Sequence, residues 1–194
     1  MGWPRTPEPS GAHFAYTDVR QRIQTGDVLL FIGRGPLSRL IRWGSESRYS
    51  HCGIASWEGD RLMLFHAVIN GVKHVRARDS VDRYDGRVDW WTLRPDLDDA
   101  LDREGVVAQA RRHLGKPFAV LGMLRLTWEI ARGRYRPGAD FKDPPEAMFC
   151  SWYVSRCYRV GGGVDLVPEA CDECTTPAQL ERSELLVHQG TLHT

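Results

Sequence analysis

Five short apolar runs, bounded by glycines and other turn residues, dominate the first half of the chain. They occupy residues 26–33, 50–57, 61–69, 71–78 and 88–95. Their length favours strands, since a helix usually needs about ten residues or more. The second and third runs flank Glu-Gly-Asp at 58–60, which predicts a β-hairpin with a glycine in its turn. We therefore expect a small antiparallel meander.

Helical patterns follow in the second half. One short helix is expected earlier, at 35–44, with Pro36 at its first position and Gly44 at its end. The others are expected within residues 98–117, 118–138 and 144–163. The order of strands first and helices afterwards predicts an α+β fold.

The length and composition suit a single domain. The chain has 194 residues, of which 42% are hydrophobic, which is enough for a substantial core. Residues 1–17 begin with a Pro- and Gly-rich stretch and are expected to form a flexible tail. Residues 18–194 are expected to form the domain, with a variable helical segment at about 98–140.

Charge and cysteine content limit the classes of function. The formal net charge of +1 argues against nucleic acid as a partner.

The first residues lack a basic segment followed by an apolar run, and no stretch is suited to span a bilayer, so we expect a cytoplasmic protein. Five cysteines are an odd number, which argues against a framework in which all of them form disulfides.

Two neighbours in the second run, His51 and Cys52, raise the question of a thiol nucleophile and its base. Consecutive strand residues point to opposite faces of a sheet, so these two cannot serve each other, and Cys52 should be buried on the face away from the site that His51 serves. Cys150 is the better candidate, because the start of a helix favours a thiolate. This requires a helix that begins near residue 147 or 148; a start at Asp143 would place the thiol more than a turn inside. His66, across the hairpin from His51, could orient that base.

Four motifs carry a resemblance to a known family. In chain order they are GDVLLF, SHCGI, FHA and FCS. They resemble the circularly permuted, YiiX-like branch of the NlpC/P60 superfamily of papain-like cysteine hydrolases, in which the cysteine segment follows the histidine motifs. The match covers about residues 25–185, with a poorly matching middle at about 80–140. It implies a permuted papain-like fold, with a small antiparallel sheet or half-barrel packed against helices.

The resemblance also implies roles for individual residues. Cys150 matches the nucleophile, His51 the base and His66 the third, polar position, while Cys52 takes a place that is usually an aliphatic core residue. The implied enzyme is a cysteine peptidase or amidase-like hydrolase without a cofactor. It would cleave an amide (peptide, isopeptide or lipid amide) or an ester through a thioester at Cys150.

Other functions and partners stay open at this stage. A thiol acyltransferase of the lecithin:retinol type and a non-catalytic binding module on the same fold are the alternatives. The substrate could be a peptide, a cell-wall peptide or a lipid-like acyl compound. The apolar segment 118–131, with its basic flank, could cover the cleft, hold an acyl chain or touch a membrane surface. The sequence does not indicate the oligomeric state.

A spacing typical of zinc fingers gives a rival hypothesis. Its residues are Cys171, Cys174, His188 and His193. Ala178 and Glu184 stand where such a finger carries apolar core residues, so we predict no metal here. A surface loop with free thiols or a local redox pair are the other interpretations of the two cysteines.

Overall fold

A seven-stranded mixed sheet that does not close on itself organises the protein. The computed structural model describes residues 11–134 and 147–194. The strands are β1 (His13–Ala15), β2 (Val28–Gly33), β3 (His51–Glu58), β4 (Arg61–Val68), β5 (Gly71–Arg76), β6 (Gly86–Leu93) and β7 (Leu186–His193). Their order across the sheet is β1-β7-β6-β2-β3-β4-β5. The pairing of β1 with β7 is parallel, and the other pairings are antiparallel.

Helices cover both faces of this sheet. They are α1 (Tyr16–Val19), α2 (Pro36–Gly44), α3 (Ala77–Arg83), α4 (Arg103–Arg112), α5 (Val120–Ala131), α6 (Cys150–Arg156) and α7 (Pro177–Arg182). Short 3-10 turns occupy Arg20–Arg22, Pro95–Ala100 and Asp172–Cys174, and α6 continues into a π-helical turn at Cys157–Gly161. Within the described ranges, no helix has the length and apolar character needed to cross a bilayer.

The apolar run of β2 is continuous because this strand is buried on both faces. Val28 and Leu30 pack in the larger core cluster, together with residues of α4, α6 and α7. Leu29 and Phe31 pack in the second cluster, on the side of α1 and α3. The candidate site lies on the α6 side, where that helix packs against β3 and β4.

The five predicted strands and the helix at 36–44 are present, but the predicted meander is incomplete. β7 returns from the end of the chain and pairs with β6, and β1 adds a further strand at the edge. A flexible tail over 1–17 is therefore wrong for residues 13–17, which form β1 and the start of α1. Residues 1–10 lie outside the described part.

The helix boundaries also differ from those predicted. The segment 98–117 starts with a 3-10 turn, and α4 begins only at Arg103, where the Asp102 side chain accepts a hydrogen bond from the Gly105 amide. In the segment 144–163 the helix begins at Cys150, and residues 144–146 lie outside the described part. α7 and β7 follow it, so the expected order of strands first and helices last is wrong.

Candidate active site

Cys150 is the first residue of α6, and Phe149 precedes it in an extended conformation. The chain before the helix is fixed by Met148, whose amide donates to the carbonyl oxygen of Pro117 at 3.0 Å and whose carbonyl accepts from Ala119 at 3.2 Å. The thiol thus lies at the end of the helix where backbone N–H groups point outward and favour a thiolate. This agrees with the later of the two predicted helix starts.

His51 begins β3, directly opposite Phe31 of β2. Its Nε2 lies 3.1 Å from Nδ1 of His66. The same imidazole lies beside the thiol of Cys150 and lowers its pKa. Because Nε2 faces His66, the ring nitrogen left for the thiol is Nδ1. The structure therefore brings together Cys150, His51 and His66. Along the chain, His66 lies 15 positions and Cys150 lies 99 positions after His51.

His66 is suited to accept a hydrogen bond and not to carry charge. Burial, followed by the positive charges of His51 and Lys73, lowers the pKa of His66 to about 3. Its imidazole is therefore neutral near pH 7. A neutral His66 can accept the Nε2–H of His51 at its Nδ1, which fixes the tautomer in which Nδ1 of His51 is free to take a proton.

Cys52 lies beside Cys150, so the expectation that it faces away from the nucleophile is wrong. Cys52 is fully buried in the same core cluster as Cys150, and the two thiols are close enough to shift each other's pKa. Strand alternation does separate Cys52 from His51. However, α6 packs on the Cys52 face, and His51 reaches the thiol from the end of the strand.

The two neighbouring cysteines have opposite pKa shifts. Hydrogen bonding from the Cys52 thiol, followed by the hydrogen bond and charge of His51, holds the pKa of Cys150 well below its ordinary value despite burial. Burial, with the hydrogen bond and charge of Cys150, raises the pKa of Cys52. Since His51 contacts Cys150, we assign the thiolate to Cys150 and the thiol to Cys52. Cys157 is also fully buried, and its burial raises its pKa, as suits a packing residue.

An apolar cleft that opens to solvent adjoins the thiol. Its apolar walls come from α2, α5 and the residue before α6: Ile41, Met123, Leu126, Ile130 and Phe149. Five hydroxyl-bearing side chains also line it: Ser45, Ser50, Thr127, Ser151 and Thr176. The sequence indicated the apolar segment but not that α2 and α5 together form the walls. Ser50, next to His51, was also missed, because no local pattern in the sequence shows that its side chain lines the cleft.

The walls meet at a close contact between the two helices. Gly44 at the end of α2 lies against Thr127 of α5, so that a Cβ added at Gly44 would be 2.0 Å from Cγ2 of Thr127. Thr127 is held by its own hydroxyl, which donates to the carbonyl oxygen of Met123 at 2.8 Å. Glycine at the end of α2 therefore permits the approach of α5.

The rival zinc residues lie apart. Cys171 and Cys174 flank a 3-10 turn, and burial raises the pKa of Cys171 to about 12, helped by hydrogen bonding to Cys174. His188 packs its ring 5.0 Å from that of Trp91, and His193 is exposed at the end of β7. Within residues 11–134 and 147–194, no group of three or more His, Cys, Asp or Glu side chains could hold a metal.

Comparison with solved structures identifies a similar fold in the crystal structure of the metalloprotein yiiX from Escherichia coli O157:H7. The two sequences are 18% identical. The structures match with a TM-score of 0.63, over 86% of this chain and 96% of the yiiX chain. The chain has the YiiX-like fold. This confirms the predicted α+β architecture, with an open sheet packed against helices, and supports the papain-like fold that the motifs imply. At this identity the YiiX-like fold does not by itself assign an activity. Neither protein-family models nor curated proteins give a match.

Proposed function

We propose that the protein is a cysteine-dependent hydrolase that cleaves an amide or ester bond through a thioester at Cys150. The observation that supports it most is the position of His51. This imidazole contacts the thiol of Cys150 and also lies 3.1 Å from His66. The base, His51, therefore lies between the nucleophile, Cys150, and the orienting group, His66.

The proposed reaction has two stages. The Cys150 thiolate attacks the carbonyl carbon, and the negative charge that develops on the carbonyl oxygen faces the free N–H groups at the start of α6. The C–N or C–O bond breaks, and protonated His51 gives its proton to the leaving amine or alcohol. Water then attacks the thioester while His51 takes its proton, which releases the acid and restores the thiolate.

The lining of the cleft favours a lipid-like acyl group over a polar peptide. The five apolar side chains that form its walls offer few charged partners for a cell-wall peptide. Burial of an acyl chain there removes apolar surface from water. We therefore propose a lipid amide or lipid ester as the substrate class, and a reducing compartment such as the cytoplasm, where Cys150 and Cys52 stay unpaired.

A thiol acyltransferase is the second candidate, because Cys150 is only 5% exposed and faces an apolar cleft. Limited access of water would allow an amine or alcohol to take the acyl group from the same thioester. The yiiX structure is described as a metalloprotein. Among the described residues of this chain, no group of three or more His, Cys, Asp or Glu side chains could hold a metal, and the proposed reaction assigns no step to one.

Trapping of the thioester tests the proposal. The full chain is mixed with a panel of fatty-acyl esters and amides, quenched in acid, and mapped by peptide mass spectrometry, with Cys150→Ala as the control. We expect an acyl group on Cys150 and release of free acid; with added amine, an acyl-amide product would indicate the transferase. Turnover of the panel that persists in Cys150→Ala, or an acyl group on another residue, contradicts the proposal.

A further inference from the structure

An exposed apolar surface lies on the outside of the two helices that form the cleft. We define the α2–α5 surface by Leu37, Leu40 and Trp43 of α2 and by Leu121, Leu124 and Trp128 of α5. These are six of the ten large apolar side chains that are exposed in the described part of the chain. Such a concentration marks an interaction surface, since single exposed apolar residues are ordinarily scattered.

The spacing within each helix places these side chains in rows. The α2 residues recur every three positions, and the α5 residues at intervals of three and four, so that each set follows one side of its helix. Trp43 is 67% exposed and Leu121 is 82% exposed. The helices touch at Gly44 and Thr127, each of which lies next in sequence to the tryptophan of its row, so the two rows lie on neighbouring helices.

This region is also basic. Residues 34–46 and 118–134 contain six arginines and two glutamates, a net charge of +4, whereas the whole chain has +1. The remaining residues therefore carry a net charge of −3. The arginines are Arg34, Arg39, Arg42, Arg125, Arg132 and Arg134, and all except Arg42 are exposed.

Among the residues that the structure describes, the arginines have few carboxylates to pair with in this region. Arg42 donates to the carbonyl oxygen of Gly33 at 3.1 Å, and Arg132 lies over the ring of Trp128 at 4.1 Å. Neither contact neutralises the charge. A surface of tryptophan and leucine surrounded by arginine has the composition of helices that lie in a membrane interface.

We propose that the α2–α5 surface docks on a bilayer that contains anionic phospholipid. The apolar rows enter the interface, and the arginines meet the lipid phosphates. Ile41 and Leu126 project from the same helices into the cleft beside Cys150. Docking would therefore bring the cleft to the bilayer, where, if the proposed function holds, an acyl substrate is found.

Co-sedimentation with vesicles tests the docking. The full chain is mixed with vesicles of phosphatidylcholine alone, or of phosphatidylcholine with phosphatidylglycerol. We expect binding to the anionic vesicles, weakened by salt, and little binding to the neutral ones. Arg39→Glu and Arg125→Glu should each lower the partition coefficient by about fivefold or more. Trp43→Ser should lower binding to the same vesicles.

Matched controls lie away from the surface. Ile69 is 60% exposed in the turn after β4, and the side chain of Arg61 is 63% exposed at the start of β4. Ile69→Ser and Arg61→Glu should bind like the unchanged protein. Circular dichroism and the alkylation rate of Cys150 are measured on every variant, so that lost docking is separated from lost folding or from a failure of the proposed chemistry.

Three results would overturn the proposal. The first is that the unchanged protein fails to bind anionic vesicles, which would leave a protein partner as the occupant of the surface. The second is that the control variants lose binding as much as the surface variants, which would make the effect non-specific. The third is that the unchanged chain sediments as a dimer that Trp43→Ser dissociates, while vesicle binding is unaffected, which would assign the surface to a second copy.

Discussion

Replacing Cys52 with alanine should raise the pKa of Cys150 and slow its alkylation at pH values below that pKa. The Cys52 thiol lies beside Cys150, where its S–H can donate to the thiolate, and this interaction is the largest influence that lowers the pKa of Cys150. Both side chains are buried, so water cannot replace the lost donor without rearrangement. Alanine removes the donor and leaves the contact between Cys150 and His51 in place.

The size of the effect follows from the strength of the hydrogen bond. A hydrogen bond to a charged group contributes about 1.5 to 3 kcal/mol, and an S–H group is a weak donor, so we take about 1.5 kcal/mol. One pKa unit corresponds to about 1.4 kcal/mol, which predicts an increase of about one unit. At a fixed pH below both values, the thiolate fraction of Cys150 should fall about tenfold.

Alkylation by iodoacetamide over a series of pH values measures this shift. Peptide mass spectrometry gives the rate at Cys150 separately from the other cysteines, and the midpoint of its pH profile reports the pKa. Cys52→Ser is the matched control, because its hydroxyl keeps a donor at the same place and should leave the midpoint near that of the unchanged protein. An unchanged midpoint in Cys52→Ala, or equal shifts in both variants, would refute the reasoning.

The remaining predictions concern the orienting group, a buried carboxylate and the helix contact. His66→Ala should lower kcat by about tenfold or more, and His66→Asn, which keeps an acceptor near Nε2 of His51, should recover part of it; equal losses would argue for a purely structural role. Buried Asp89 has a pKa lowered to about 2 by hydrogen bonds that outweigh burial, so its stabilisation is full above about pH 5 and is lost as the pH falls towards 2. The gap in unfolding free energy between the unchanged protein and Asp89→Asn should therefore shrink by about 2 kcal/mol over that range in urea titrations, and a constant gap would contradict this. Gly44→Ala should cost about 1 to 3 kcal/mol in urea unfolding, and less in a Thr127→Ser background, which lacks the crowded Cγ2; equal costs in both backgrounds would contradict the close contact.

The strands of the first half were predictable because their signal is local. The apolar run that becomes β2 is buried on both faces, and a glycine-containing turn closes the hairpin of β3 and β4. The resemblance to the permuted family, carried by four short motifs, singled out Cys150, His51 and His66. The structure brings these three side chains together, while their roles remain a proposal.

β7 could not be predicted because its stabilisation comes from distant residues. Its sequence, LVHQGTLH, mixes polar and apolar residues without clear alternation, and Gly190 weakens its strand propensity. The strand forms because its backbone pairs with β6 and β1, and because the Thr191 hydroxyl donates to Oδ1 of Asp89 at 2.7 Å. Pairing between the two ends of a chain leaves no local pattern.

The contact between Cys52 and Cys150 was missed for a related reason. Alternation tells which residues of a strand share a face, but it does not tell which helix will pack there. α6 lies about 100 positions after β3 in the sequence, and it packs on the Cys52 face. The same limit applies to the cleft, whose walls come from helices that are about 80 positions apart.

The alkylation rate of Cys150 in the unchanged protein and in His51→Ala tests the central claim most directly. Cys171 is the internal reference, since it is more exposed than Cys150 but has a pKa raised to about 12. We predict that Cys150 reacts faster than Cys171 at neutral pH, and that His51→Ala slows Cys150 by about tenfold or more while Cys171 is unchanged. A Cys150 that reacts no faster than Cys171, with a rate that His51→Ala does not alter, would contradict a catalytic thiolate at this site.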